Sequence, residues 1–388
     1  VSDPNGGTST ATVTITITGS NDIPLVQASA GAVVYVENAP AAVVDAGVLL
    51  TDVDSAQLTG ATVRISAGYM QGQDQLQFSN QLGITGSWDS LTGTLTLTGT
   101  ATLADYQSAL RSVTYLNTSE APVEQPRTIE FIVHDPFDSS LPATRQLQVT
   151  AVNDEPVAQA ASVSGIEDAA FVSLTLSGSD VDGTVAAFRL NTLPGHGTLF
   201  LDAGLTTQAL SGTNYTATGQ ALTLYFVPAA DWFGNTSFHY VAIDDLGLAS
   251  MATTASIEIT PVNDAPVISF GSGAVTYVEN AAPVIIDSDI SVFDVDSPDF
   301  AGGVLTVTLI TNGTAADRLG LLAGGEITLL SATGEIFHQG TLVANWTGGN
   351  GSPLEITFNS QATAAIVQAV ARQITFENIS ENPATQPR

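Results

Sequence analysis

A short tetrapeptide recurs three times in this chain, each time closing a strand-like run: Asn21-Asp22-Ile23-Pro24, Asn153-Asp154-Glu155-Pro156 and Asn263-Asp264-Ala265-Pro266. The preceding runs, Ala11 to Thr18, Arg145 to Thr150 and Ala255 to Thr260, alternate in polarity and are rich in Thr, Val and Ile. Alternation puts one strand face on a core and the other in water, and the Pro beyond it cannot donate to a sheet ladder. Each tetrapeptide therefore reads as the exit from a last strand into the next domain. Asp22 and Asp154 lie 132 residues apart, and Asp154 and Asp264 lie 110 apart. Both spacings suit β-sandwiches of about 100 residues. The predicted division is 1–22 as the last strand of a preceding repeat or a donor strand, then sandwiches 23–154, 155–264 and 265–388.

Internal self-similarity sharpens that division. Val33 to Ala39 (VVYVENA) matches Val275 to Ala281 (VTYVENA), and Asp52-Val53-Asp54-Ser55 matches Asp294-Val295-Asp296-Ser297, both at an offset of 242. Later, Asn117, Ser119, Glu120 and Gln125-Pro126-Arg127 match Asn378, Ser380, Glu381 and Gln386-Pro387-Arg388 at an offset of 261. The third repeat therefore carries 19 extra residues, expected between Gly302 and Pro353. It also stops before the counterparts of the final two strands. The middle repeat is a different subtype, with Ile166-Glu167-Asp168, Asp180-Val181-Asp182-Gly183, Pro194 to Leu199 and Trp232 to Phe238 as its landmarks. Leu103 to Val113 repeats Leu103, Tyr106, Leu110 and Val113 at helical steps, and Ala362 to Val370 is built of helix formers. One short helix is expected in each outer repeat, over a sandwich edge.

Charge excludes several functions. Lys and Arg number 8 against 38 Asp and Glu, a formal charge of -30, which repels phosphate backbones and anionic lipid. Neither nucleic acid nor a membrane surface is expected as a partner, and no apolar run is long enough to span a bilayer. There is no Cys, so disulfides and thiolate metal sites are absent. No enzyme activity is expected. The four His (His134, His196, His239, His338) have no zinc-site spacing, and no Gly-x-Ser-x-Gly elbow occurs. His196 sits in a Gly-flanked turn and is expected to be structural; Trp88, Trp232 and Trp346 are expected in cores rather than on sugars.

At the motifs just quoted, the middle repeat resembles the bacterial cadherin-like, tandem-95 type of repeat, and the outer repeats resemble the Val-Glu-Asn-Ala modules of large RTX-type and biofilm adhesins. The resemblance implies an all-β fold of tandem Ig/cadherin-like antiparallel sandwiches, Ca²⁺ at the junctions, and export to the bacterial cell surface. It also implies a stalk or spacer role in cell adhesion, with neighbouring repeats of the same or an identical chain as partners. Contacts with glycans or other cells are expected from regions outside this stretch. The Gly-rich nonapeptide array of RTX proteins is not present.

The acids themselves support cation binding. Ca²⁺ takes six to eight oxygens, and residues two apart in an extended segment share a side, so Asp-x-Asp can share an ion. Seventeen of the 38 acids occupy recurring motif positions, Asp168 among them, which solvated surface charge would not produce. The candidate ligands are Asp3, Asn21, Asp22, Glu37, Asp52, Asp54, Asp135, Asn153, Asp154, Glu167, Asp180, Asp182, Asp244, Asp245, Asn263, Asp264, Glu279, Asp294 and Asp296. For the junction at Asn153-Asp154, Glu37 and Asp135 are expected to be the donors from the first repeat. Two other readings stay open: a glycan- or cell-surface-binding module, and a filament subunit whose N-terminal strand completes a neighbour's third domain.

Overall fold

The computed structural model describes every residue except Ser272. Strands dominate it, and the buried apolar side chains fall into three separate cores. The first spans Val26 to Val149, the second Val172 to Ile259 and the third Ile290 to Ile374. The fold is all-β, as tandem sandwiches.

In the first unit a six-stranded sheet runs Ala32–Val36, Ala143–Thr150, Arg127–His134, Gln57–Ala67, Thr94–Thr102, Thr85–Asp89. Only its first pair is parallel. Arg127–His134 buries every second residue, with Ile129, Phe131 and Val133 facing inward as period-2 geometry requires. The three-stranded sheet of Ala42–Val43, Thr114–Asn117 and Asp74–Gln77 contributes Tyr115 and Leu76 to the same core.

Helix α1 (Leu103–Arg111) buries Tyr106, Ala109 and Leu110, one apolar stripe. Thr102 caps it by accepting from the Asp105 amide at 3.2 Å. Gln107 Oε1 accepts from the Leu50 amide (3.1 Å) and Arg111 Nε donates to the Val48 carbonyl (3.0 Å). The helix thus satisfies backbone groups of the short strand Leu49–Thr51 that would otherwise form an open edge. Helix α2 (Ala364–Ala371) in the third unit repeats both bonds, Gln368 to the Val292 amide and Arg372 to the Ile290 carbonyl.

The middle unit pairs a four-stranded sheet with a five-stranded one, and has no helix. Its last strand, Thr253–Thr260, lies parallel to Ala161–Ile166 and antiparallel to Gly234–Asp244. The 19 extra residues of the third unit appear as an added hairpin. Trp88 lies opposite Leu95 in the first unit, and Trp346 opposite Ile356 in the third; beyond the Trp346 strand come two more, Glu335–His338 and Ile327–Leu330. All three Trp are half-buried against their cores.

Two segments depart from expectation for one reason, the lack of a neighbour. Residues 9–20 form no strand, and Val13, Ile15 and Ile17 are 80, 80 and 89% exposed. Alternation prepares a strand, but a ladder needs a second chain segment. Likewise residues 274–278 form no strand, although their counterparts Ala32–Val36 do so by pairing with Ala143–Thr150. Among the described residues, Val304–Val307 is paired on one side only, by Leu354–Phe358.

Candidate metal centres at the junctions

The three linkers are gripped in the same way. Each linker Asp donates its amide to the second Asp of the incoming Asp-x-Asp: Asp22 to Asp54 (3.2 Å), Asp154 to Asp182 (3.3 Å) and Asp264 to Asp296 (3.2 Å). The first Asp accepts from the amide of the second: Asp52 from Asp54 (3.1 Å), Asp180 from Asp182 (3.4 Å) and Asp294 from Asp296 (3.3 Å). These bonds fold each Asp-x-Asp into a tight turn that keeps both carboxylates beside the linker.

The outgoing unit supplies a Glu. Glu37 Oε2 accepts from the Val152 amide at 2.7 Å, and Glu167 Oε1 from the Val262 amide at 2.6 Å, each two residues before a linker Asp. Both Glu side chains are buried. The residue after each is in left-handed backbone: Asn38 at φ 60°, Asp168 at φ 60° and, in the third repeat, Asn280 at φ 59°. Asn and Asp tolerate that region better than other side-chain-bearing residues, which explains the Glu-Asn and Glu-Asp pairs.

Two carboxylate clusters result. Oxygens of Glu37, Glu120 and Asp154 lie within 4.8 Å of one another, as do those of Glu167, Asp264 and Asp296. Five oxygens at the three junctions are buried with no hydrogen-bond partner besides Glu37 Oε1: Oδ2 of Asp52, Asp154, Asp180 and Asp264, and Oδ1 of Asp296. Glu37 itself is only 4% exposed. A carboxylate oxygen buried without a donor is costly, and a cation is the partner that suits it. All donors are oxygens, the set a hard divalent cation such as Ca²⁺ takes; thiolate and imidazole donors are missing.

Electrostatics divides the acids into two kinds. Burial first, then the charges of Asp154, Glu120 and Asp182, raises the Glu37 carboxyl despite the Val152 amide. Asp154 is raised by burial and by Glu120 and Asp182, Asp180 by burial and Asp182, and Asp264 by burial and by Asp168, Asp231, Asp296 and Glu167. Asp135 and Asp244 are lowered instead, because backbone amides and an Asn side chain outweigh their burial, and Asp294 is lowered because the Ser297 and Asp296 amides and side chains outweigh its own. The raised acids face other acids, while Asp135 and Asp244 face N–H groups.

Asp135 is the main correction. It does not join Glu37; it accepts from Asn21 Nδ2 at 3.1 Å, at the entry to the first unit, and holds the Phe137 and Asp138 amides. At the Asn153 junction that place belongs to Asp244 of the incoming middle unit, which accepts from Asn153 Nδ2 at 2.6 Å. The turn after each penultimate strand closes at the receiving end of its own sandwich. Asp245 turns to the Thr184 amide (2.9 Å). Asn263 donates to the Asp264 carbonyl (2.8 Å). Asp3 holds amides of its own turn, from Asn5 and Gly7, and Glu279 is exposed; neither meets a cluster. Glu120 in one cluster, Asp231 beside the other, and Asp138, which accepts from Asn21, are not among the expected ligands. Of these Glu120 carried a signal, since Ser119-Glu120 recurs as Ser380-Glu381. His196 sits at φ 56° with its ring stacked on Trp232 at 4.8 Å, a structural contact.

Comparison with known proteins places the middle unit: residues 153–260 match the family model described as a bacterial Ig domain. The chain is 27% identical over 389 residues to halomucin of Haloquadratum walsbyi, covering 86% of this chain and only 4% of that protein. Among solved structures it is similar to cadherin domains 1–5 of protocadherin gamma B2 (12% identity, TM-score 0.36, 88% of this chain and 54% of that one). It is also similar to the human desmocollin-1 ectodomain (13% identity, TM-score 0.26, 87% and 53%). The chain thus spans a small fraction of its curated relative and about half of each cadherin.

Proposed function

We propose that this chain is a Ca²⁺-stiffened stalk of an extracellular surface protein, in which cadherin-like sandwiches are clamped end to end by cations at the linkers, and that it performs no catalysis. The observation that carries the reading is the Glu37–Glu120–Asp154 cluster, whose buried Glu37 Oε1 has no hydrogen-bond partner. Its counterpart at Glu167, Asp264 and Asp296 repeats the arrangement one unit further on. The bacterial Ig match and the likeness to halomucin support a surface setting. An RTX-type or biofilm adhesin is the finer form of this reading, resting on the motif resemblance.

The junctions at Asp154 and Asp264 each draw on three parts of the chain. At the middle one, Glu37 and Glu120 come from the outgoing unit, Asn153 and Asp154 from the linker, and Asp180 and Asp182 from the incoming unit. A bound Ca²⁺ would supply the positive charge that these carboxylates lack. Without it they repel across the linker, and their orientation relies on single amide bonds. With it, outgoing and incoming units share one set of ligands, and bending at the linker would cost ligand contacts. No helix among the described residues is long and apolar enough to cross a membrane.

The test is calcium titration of the chain by calorimetry, combined with thermal melts. A cation bound only to the native state stabilises by about 2.7 kcal/mol per site at a hundredfold excess over Kd. With affinities of ~10⁻⁴ M or tighter, about 5 mM CaCl₂ reaches tens of Kd and should raise the Tm clearly over that in EDTA. Coincident melts and no binding heat would remove the reading.

A further inference from the structure

Beneath the loop that carries Glu120 lies a fully buried ion pair that the junction chemistry does not itself use. Arg127 Nε and Nη2 donate to the two oxygens of Asp74, each at 3.1 Å, a bidentate fork. Both side chains are 0% exposed. Asp74 also accepts from Asn117 Nδ2 (2.7 Å), from the Tyr115 hydroxyl and from the Met70 amide (2.8 Å). From this centre the bonds run outward to the loop. Asn117 Oδ1 accepts from the Ser119 amide (2.9 Å), Ser119 Oγ from the Ala121 amide (3.1 Å), and Arg127 Nη1 donates to the carbonyls of Val123 and Gln125. Both ends of the segment 117–127 are therefore pinned to one carboxylate, with Glu120 between them.

Burying an ion pair is weak evidence for stability, because desolvating two charges offsets their attraction. The site it governs is a better reason for keeping it. Glu120 is exposed, on a loop without strand or helix, yet its carboxylate lies within 4.8 Å of those of Glu37 and Asp154, two acids that repel it. Among the described residues, its one bond outside the loop is from Asn38 Nδ2, at 3.1 Å. A loop with free ends would swing Glu120 away into water.

The third unit repeats the Asp–Arg–Asn set and its bonds to the loop. Arg388 Nε and Nη2 donate to Asp317 at 3.1 and 3.2 Å, and Asn378 Nδ2 donates to Asp317 at 2.6 Å. Asn378 Oδ1 accepts from the Ser380 amide at 2.8 Å, and Arg388 Nη1 donates to the Ala384 and Gln386 carbonyls. Glu381 occupies the place of Glu120, while Phe376 replaces Tyr115, so the hydroxyl is dispensable and the Asp–Arg–Asn set is retained.

We infer that Asp74 and Arg127 are positioning residues for Glu120, holding the 118–126 loop so that Glu120 reaches the junction between the first and middle units. This rests on the reading of that junction as a Ca²⁺ site. Loss of a residue that orients a ligand typically costs 10- to 100-fold in metal affinity. Arg127→Lys keeps the charge and removes the fork, which Lys cannot form.

The experiment is a Ca²⁺ titration of the ¹⁵N-labelled full chain, read at the Val152 amide, which donates to Glu37, with the Val262 amide, which donates to Glu167, as the internal reference. Glu120→Gln and Arg127→Lys should each weaken binding at Val152 by about tenfold and leave Val262 unchanged. In the double variant Arg127→Lys should add less than about a twofold further loss, since its effect passes through Glu120. A purely structural pair would instead give the same loss with or without Glu120, or none, and that overturns the inference. If Arg127→Lys unfolds the first unit, Asn117→Ala, which cuts one anchor, takes its place in the cycle. Wild-type chain showing no Ca²⁺ response at either amide would remove the junction reading itself, an outcome distinct from an additive cycle.

Discussion

The junctions at Asn153-Asp154 and Asn263-Asp264 share a plan and differ in how much surrounds it. At the first, Glu37, Glu120, Asp154, Asp180 and Asp182 converge, and Asn153 is held by the incoming Asp244 at 2.6 Å. At the second, Glu167, Asp264 and Asp296 converge, with Asp168 and Asp231 adding charge. The plan needs only a Glu, a linker Asp and an Asp-x-Asp. The additions come from the sandwich type: the outer subtype brings a Ser-Glu loop over a buried Arg, and the middle subtype brings Asp231 beside Trp232. Linker motif and unit identity are therefore separable contributions.

The largest effect expected from that comparison follows removal of the paired acids. Asp180→Asn with Asp182→Asn should weaken Ca²⁺ at the Val152 reporter by about two orders of magnitude, given how steeply ligand charge count tunes affinity. Asp294→Asn with Asp296→Asn should do the same at Val262 and spare Val152. Cross-talk between the reporters would show that the two junctions do not act independently.

Next in size is the linker Asn. Asn153→Ala removes a part-buried bond to a carboxylate and should cost about 1–2 kcal/mol in urea unfolding of the apo chain. Asn263→Ala should stay within about 0.5 kcal/mol, as an exposed change does. An Asn153→Ala cost no larger than that would show that the Asp244 bond adds nothing to the junction.

The smallest effect is on pH in EDTA. Raised acids stabilise the fold in their protonated forms, so their contribution is present below the ordinary values, 4.5 for Glu37 and 3.8 for Asp154 and Asp180, and is lost as pH rises through the higher folded values. The second junction has one such group, Asp264. Hydrogen exchange should therefore accelerate more at Val152 than at Val262 as pH climbs from about 4 toward neutrality, beyond the intrinsic base-catalysed trend. The lowered acids Asp135, Asp244 and Asp294 act in the opposite sense, losing stability as pH falls below 3.8.

Much of this was legible in the sequence because it was local. Asp-x-Asp, Glu-Asn and Asn-Asp-x-Pro each carry their geometry within four residues, and both helices and the insertion in the third repeat followed from periodicity and offsets. What escaped was long-range. Asp135 and Glu37 lie in one repeat, and only the course of the strands between them shows that they serve opposite ends. Asp74 and Arg127 are 53 residues apart, and nothing in either neighbourhood indicates that they meet in the core. Strand propensity in residues 11–18 was legible too, but pairing depends on a neighbour.

Small-angle X-ray scattering of the chain in calcium and in EDTA tests the central claim most directly. Clamped linkers should give a longer maximum dimension and a sharper distance distribution in calcium, with Asp180→Asn/Asp182→Asn shifted part of the way toward the chelated wild type. Identical curves in calcium and in EDTA, from a chain that remains folded in both, would contradict cation clamping of these junctions.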